Sequence, residues 1–207
     1  MAKVKSPFAA AEKHLAKADP VLKQLMDRVG PCAMEIDPDH FAVLVRAIIS
    51  QQISTKAAVS ITTRVVEKCG KKGITTKTLA PLTDEELQAC GLSTSKRRSV
   101  RGLVDCLLEN PRHLTGISDL SEAEIAEKLL PLHGIGPWTV QMFLMFSAGK
   151  PDILPVGDLG IRVGIKKLYE LAEIPTVQEM EERTAAWRPY RSIGSWFLWH
   201  SHDNPAK

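Results

Sequence analysis

The sequence predicts an all-α protein of two helical lobes, on three observations. Apolar residues recur at three- and four-residue spacing through most of the chain. No stretch alternates with period two for long enough to make a sheet. The residues between periodic segments are helix-start and helix-stop signals, and the links they leave are short, as a compact helical bundle requires.

Taken in order, Asp39 to about Ser50 (DHFAVLVRAIIS) is apolar at helical spacing, with Asp37-Pro38 ahead of it as a start signal. Thr55 to Cys69 continues the pattern through Ala58, Ile61, Val65 and Val66, and Gly70 stops it. Thr83 with Glu86, Ser121 with Glu124, and Thr176 with Glu179 fit the S/T-x-x-E capping box, in which two side chains satisfy free backbone donors reciprocally. Ser95–Asn110 and Asp158–Leu171 read as helices, and Pro189–His202 as the last one. The whole chain, 1–207, is expected to be one module. Residues 38–130 form its central lobe, and residues 1–37 return to pack with 150–207.

The composition bounds the function. The 207 residues carry 27 Lys and Arg against 24 Asp and Glu, a net charge of +3, with 44% apolar and 25% charged residues. Such a chain buries a core without metal or disulfide staples and is not wholly disordered. No apolar run approaches the ~20 residues of a membrane span. The start MAKVKSPFAAAEKHLAK lacks a signal-peptide core, so the expected compartment is cytosolic or nuclear, not secreted, and no membrane partner is expected. Cys32, Cys69, Cys90 and Cys106 form no C-x-x-C pair, which argues against a zinc or iron–sulfur knot and for reduced thiols. The slight positive balance permits an anionic partner without specifying one. Aromatics are scarce (five Phe, four Trp, two Tyr), yet all four Trp fall in the last third, at Trp138, Trp187, Trp196 and Trp199. That clustering points to a pocket as well as a core.

The most informative stretch is 129–142, LLPLHGIGPWTVQM. One helix ends near Pro131, Gly134 and Gly136 flank Ile135, and a second helix starts near Pro137, where proline suits the first turn. Two readings fit a bare G-x-G. It is a tight turn between helices with Ile135 plugged into the core, or a glycine-bared helix start whose amides and dipole suit a phosphate. The extended pattern h-x-G-h-G-P-W-T resembles the helix-hairpin-helix element that grips DNA backbone without reading sequence.

About twenty residues further on comes Leu154-Pro155-Val156-Gly157-Asp158-Leu159-Gly160. A hairpin followed at this distance by an aspartate opening a helix is similar to the helix-hairpin-helix/Gly-Pro-Asp superfamily of DNA glycosylases. The likeness is to the 3-methyladenine DNA glycosylase II type in compact form. Phe41–Ala58, Gly91-Leu92-Ser93 with Lys96, and Trp187-Arg188-Pro189-Tyr190-Arg191-Ser192 extend it over most of residues 38–200. At this length there is no room for the N-terminal β-rich domain of longer members.

The resemblance implies roles residue by residue. Asp158, in isolation a helix N-cap, becomes the carboxylate that stabilises an oxocarbenium-like sugar or orients the attacking water. The hairpin and Asp158 would line the cleft between the lobes. Bifunctional glycosylase/lyases carry a lysine nucleophile where this chain has Trp138, so simple hydrolysis is expected. Trp138 offers its indole face to a cationic methylated base, worth ~0.5–2 kcal/mol. Trp187 is a second pocket candidate, whereas Trp196 and Trp199 are assigned to the core. Met142 and Leu159 stand where larger members place rings, making the pocket less aromatic. Gln52, in Ser50-Gln51-Gln52-Ile53-Ser54, matches the wedge that fills the hole left by base extrusion, with Ser54 and Ser93 touching the same minor groove. Gln51 reads as a hydrogen-bonded corner. Gly134, Gly136, Thr139 and Lys96 are expected on the DNA backbone, and Lys96-Arg97-Arg98 with Arg101 is either a solvated face or a phosphate track. No cofactor or catalytic metal is implied, although family hairpins can hold a monovalent cation on backbone carbonyls. The implied partner is duplex DNA bearing alkylated bases, 3-methyladenine and 7-methylguanine foremost, bound by a monomer in the bacterial nucleoid or the nucleus.

Overall fold

The computed structural model describes residues 6–201, and among these every regular element is helical. The chain opens with α1 (Ala9–Ala18) and α2 (Pro20–Val29). It continues through α3 (His40–Ser50), α4 (Thr55–Cys69), α5 (Thr76–Leu79), α6 (Asp84–Ala89), α7 (Thr94–Glu109), α8 (Glu122–Leu129) and α9 (Pro137–Phe146). It closes with α10 (Leu159–Leu168), α11 (Val177–Arg183) and α12 (Arg191–His200). Two compact units result. Residues up to Glu35 join those from Lys150 onward, and Ile36–Gly149, hairpin included, makes the other.

In the Ile36–Gly149 unit, α3 is the central rod. Eight of its residues, from Phe41 to Ile49, are buried, and it packs on α4, α7 and α9. An apolar content that high leaves no solvated face, so the helix must be surrounded. Its cap is Asp39, whose side chain accepts from the Ala42 amide at 3.0 Å; Asp37, the sequence signal, lies two residues outside. The capping boxes at Thr83/Glu86 and Ser121/Glu124 form as the spacing predicts. A further box at Thr75/Thr78 escapes the S/T-x-x-E pattern because a hydroxyl replaces the carboxylate. Helix α7 starts at Thr94, one residue before the expected Ser95.

In the other unit, Thr176/Glu179 caps α11 as expected. Helix α10 stops at Leu168 rather than Leu171, and α12 begins at Arg191 rather than Pro189. His202, the expected end of that helix, lies outside the described residues, as do residues 1–5.

The unit is organised on Asp19, a carboxylate only 8% exposed. Its Oδ1 caps α2 by accepting from the amides of Val21 and Leu22, both at 2.9 Å. Its Oδ2 accepts from the Trp187 indole at 2.8 Å and from the Tyr169 hydroxyl. Burial first, and the bond to Asp19 second, push the Tyr169 phenol above its ordinary range. Trp187 is 0% exposed, and Gly194 admits it: a Cβ there would fall 2.4 Å from the ring. The expectation that Trp187 lines a base pocket is therefore overturned. Its polar edge is consumed by a buried carboxylate and its face by packing. The rest of the same motif is also structural. Arg191 forks onto Asp152 at 2.8 Å and Glu181 at 2.7 Å. The Ser192 hydroxyl donates to the Lys150 carbonyl at 2.7 Å and accepts from the Ile153 amide at 2.9 Å. Together they tie the segment leading to Asp158 against α12.

Replacing Asp19 with Ala strands several buried donors and removes a cap, so unfolding in urea should show a loss of about 3 kcal/mol. Trp187→Phe removes one donor and keeps most of the ring, and should cost about 1–2 kcal/mol. The opposite order would show that packing around the indole, and not the carboxylate, organises this unit.

Candidate nucleic-acid interface and catalytic carboxylate

Between α8 and α9 the chain makes the expected tight turn, with Ile135 buried. The two glycines differ in what they supply. Gly134 has φ +78°, and a Cβ there would sit 1.8 Å from the Ser99 hydroxyl on α7, so both conformation and packing demand glycine. Gly136 is extended, at φ −103° and ψ 177°. A Cβ there would meet nothing within 4 Å, so this glycine leaves open space at the start of α9. Helix α9 has Pro137 in its first turn and no side chain capping it. Thr139 corrects its expected role: it is 1% exposed, and its hydroxyl accepts from Gln51, so its side chain faces inward.

The Ser50–Ser54 segment turns from α3 into α4 beside this hairpin. The Gln51 amide nitrogen donates to the Gly134 carbonyl at 2.9 Å and to the Thr139 hydroxyl at 2.8 Å. Gln51 is thus the hydrogen-bonded corner the sequence suggests. Gln52 is exposed and holds φ +55°, a left-handed conformation uncommon for a residue other than glycine and shared among the described residues with Glu170 just past α10. Ser54 caps α4 by accepting from the Ala57 amide at 3.3 Å, and Ser93 caps α7 by accepting from the Lys96 amide at 3.4 Å. Both serines are exposed.

The basic run after Ser93 is mostly committed to the fold. Lys96, expected on the DNA backbone, donates from Nζ to the Ile49 carbonyl at 2.7 Å, and desolvation lowers its pKa. It neutralises the C-terminal end of α3. Arg97 is buried against Asp84 and the Leu92 carbonyl, and Arg101 gathers the carbonyls of Leu79, Ala80 and Leu82. Arg98 remains exposed. On α9, Trp138 is half-buried, while Met142 is 7% exposed and belongs to the packed interior rather than to an open pocket wall.

Asp158 is the N-cap of α10. Its Oδ1 accepts from the Ile161 amide and from the Trp199 indole, both at 2.9 Å. Capping and side-chain display are therefore simultaneous. Trp199, expected in the core, is half-buried and reaches the carboxylate. Trp196 is the buried one, edge-on to Phe197 and stacked on His200 at 3.9 Å. A sequence signal for the Trp199 contact exists in Gly160 and Gly164. A Cβ at Gly160 would lie 3.0 Å from Asp158 Oδ1 and 3.1 Å from the Trp199 ring, and one at Gly164 would lie 3.1 Å from Leu198. This small-residue groove on α10 lets α12 come close. Leu159, beside Asp158, is 63% exposed. A depression of about 480 Å³ lined by Asp39, His40, Thr75 and Thr115 lies at the N-terminal end of α3. It contains neither Asp158 nor any hairpin residue.

The chain matches the family model described as HhH-GPD superfamily base excision DNA repair protein over residues 45–189. It is 31% identical over 199 residues to the alkylbase DNA glycosidase-like protein mag2 of Schizosaccharomyces pombe, covering 94% of this chain and 93% of that one. It is 31% identical over 194 residues to DNA-3-methyladenine glycosylase 1 of the same yeast, covering 91% and 85%. Its fold is similar to that of the Schizosaccharomyces pombe 3-methyladenine DNA glycosylase Mag1 in complex with abasic DNA. The TM-score is 0.83 at 31% identity, with 92% of this chain and 95% of that chain covered. A DNA-3-methyladenine glycosidase from Bacillus halodurans gives 0.73 at 32% identity, covering 94% and 90%.

Gly160→Ala should push the Trp199 ring off Asp158. Hydrogen exchange of the Trp199 indole proton, followed by NMR, should then accelerate about tenfold, whereas Asp158→Asn, which keeps an acceptor oxygen, should change it less. Unchanged exchange in Gly160→Ala would mean that the helices accommodate the methyl without moving the ring.

Proposed function

This chain belongs to the HhH-GPD superfamily of base excision DNA repair proteins, and on that premise we propose that it is a monofunctional DNA glycosylase. It releases alkylated bases, 3-methyladenine foremost and 7-methylguanine with it, from duplex DNA. The observation that carries the reading is Asp158. This carboxylate is held at a helix start by an amide and an indole on one oxygen, in a family whose relatives above are named for alkylbase and 3-methyladenine excision.

The reaction needs little else. N3-methyladenine and N7-methylguanine nucleotides carry positive charge on the base, so the C1′–N bond breaks with its electron pair leaving on a base that becomes neutral. Positive charge then develops on the sugar, and a fixed carboxylate stabilises it without reorganising at the moment of reaction. Water adds at C1′ and gives up a proton, leaving an abasic site and the free base. The Asp158 side chain serves either as that electrostatic partner or as the group that orients the water. Trp138 supplies no amine, so no Schiff base forms. Its indole attracts a cationic base. Gln52 fills the duplex where the nucleotide is extruded, with Ser54 and Ser93 in the minor groove. The hairpin at Gly134 and Gly136 grips the backbone through amides. Such a protein works as a monomer on the chromosome, in nucleoid or nucleus.

The assay is release of free 3-methyladenine from methylated duplex DNA. Asn serves as an N-cap as well as Asp, so Asp158→Asn should keep thermal stability within about 0.5 kcal/mol while slowing release about 100-fold or more. Duplex binding without base release by the wild type would identify a silent DNA-binding module instead. Borohydride should trap no covalent adduct with DNA; an adduct would mean lyase chemistry on oxidised bases and would overturn the reading of Trp138.

A further inference from the structure

We propose that Gln51 is a positioning residue that couples the hairpin's hold on the DNA backbone to the insertion of Gln52. The proposal rests on the glycosylase reading above and adds a part to it. The Gln51 side-chain amide has two N–H donors, and both are used on the hairpin. One goes to the Gly134 carbonyl within the turn and the other to the Thr139 hydroxyl in the first turn of α9, so a single side chain ties the turn to the helix that follows it. The next residue in the chain is Gln52, exposed and left-handed.

Adjacent Cα atoms are fixed at about 3.8 Å, so a displacement of Gln51 is passed to Gln52 almost undiminished. The root of the loop is fixed independently. The Gln51 backbone amide donates to the Ile48 carbonyl at 3.3 Å, and Lys96 holds the Ile49 carbonyl from α7. What remains to move or project is the tip, Gln52-Ile53, and its placement is set by the hairpin through Gln51. A left-handed glutamine persists where its surroundings over-determine it, and these four contacts are those surroundings. Seating the hairpin on phosphates and placing the wedge therefore become one event, and the enzyme tests base stacking wherever it grips backbone.

A purely structural Gln51 would act on stability and affinity alone. A coupling Gln51 acts on what the bound complex does to the DNA. The two separate in a duplex carrying 2-aminopurine beside the lesion, which brightens when its neighbour is unstacked. Protein at saturating concentration in an Asp158→Asn background keeps the DNA intact. The parent should raise the fluorescence, and adding Gln51→Ala should cut the rate of the rise about tenfold at saturation. Thr139→Val removes one acceptor at constant shape and should give a smaller loss in the same direction. The Gln51→Ala/Thr139→Val double variant should be no worse than Gln51→Ala, because both break one link.

A defect that disappears at saturation, or additive losses in the double variant, would overturn the coupling and leave the glycosylase reading intact. If Gln51→Ala fails to fold, the Thr139→Val result decides in the same way. A parent protein that binds and never brightens the probe overturns both.

Discussion

Three close approaches that organise the two units depend on a missing Cβ. At Gly134 the hairpin comes against Ser99, at Gly160 the Trp199 ring reaches Asp158, and at Gly194 helix α12 makes room for Trp187. At Gly134 and Gly194 a Cβ would clash outright and at Gly160 it would crowd its neighbours, and in two of the three cases what enters the gap is an indole. Close packing transmits position stiffly. A glycine under a functional group therefore fixes that group to its support more firmly than a surface hydrogen bond does.

The two indole–carboxylate pairs show one interaction in two settings. Trp187 with Asp19 is sealed, with four donors converging on one carboxylate. Trp199 with Asp158 is half-buried at a helix start, with an exposed Leu159 beside it. The first pair holds helices together. The second holds still a carboxylate that is only half-buried, the one that the proposed reaction sets against the developing charge. Chemistry separates from structure here by exposure, not by the kind of bond.

Much of this was legible in the residues. Capping boxes, the hairpin and the fate of Asp158 follow from local spacing, because caps and tight turns are settled within four or five residues. The assignment of the tryptophans was not legible. The sequence assigns Trp187 to a pocket wall and Trp199 to the core, whereas Trp187 is fully buried and Trp199 is half-buried against Asp158. The partner of Trp187 is Asp19, 168 residues away in sequence, and periodicity gives a helix face without saying what lies across from it. The basic run misled for a related reason. Lys96 and Arg101 resemble a phosphate track, yet backbone carbonyls at the ends of α3 and α5 claim them. Thr139 likewise sits in the hairpin while pointing inward.

Those internal commitments of Lys96, Arg97 and Arg101 bear on how the protein meets an anionic surface. A lysine laid on a phosphate expels condensed counterions, and the entropy of that release makes binding collapse as salt rises. Here Lys96, Arg97 and Arg101 already have partners within the fold, whereas Lys56 in the first turn of α4 and Arg98 on α7 stay exposed. Two free cations displace fewer ions than the full basic run would. A surface that commits three of its cations internally loses less affinity for an anionic partner as ionic strength increases than one that leaves all of them free.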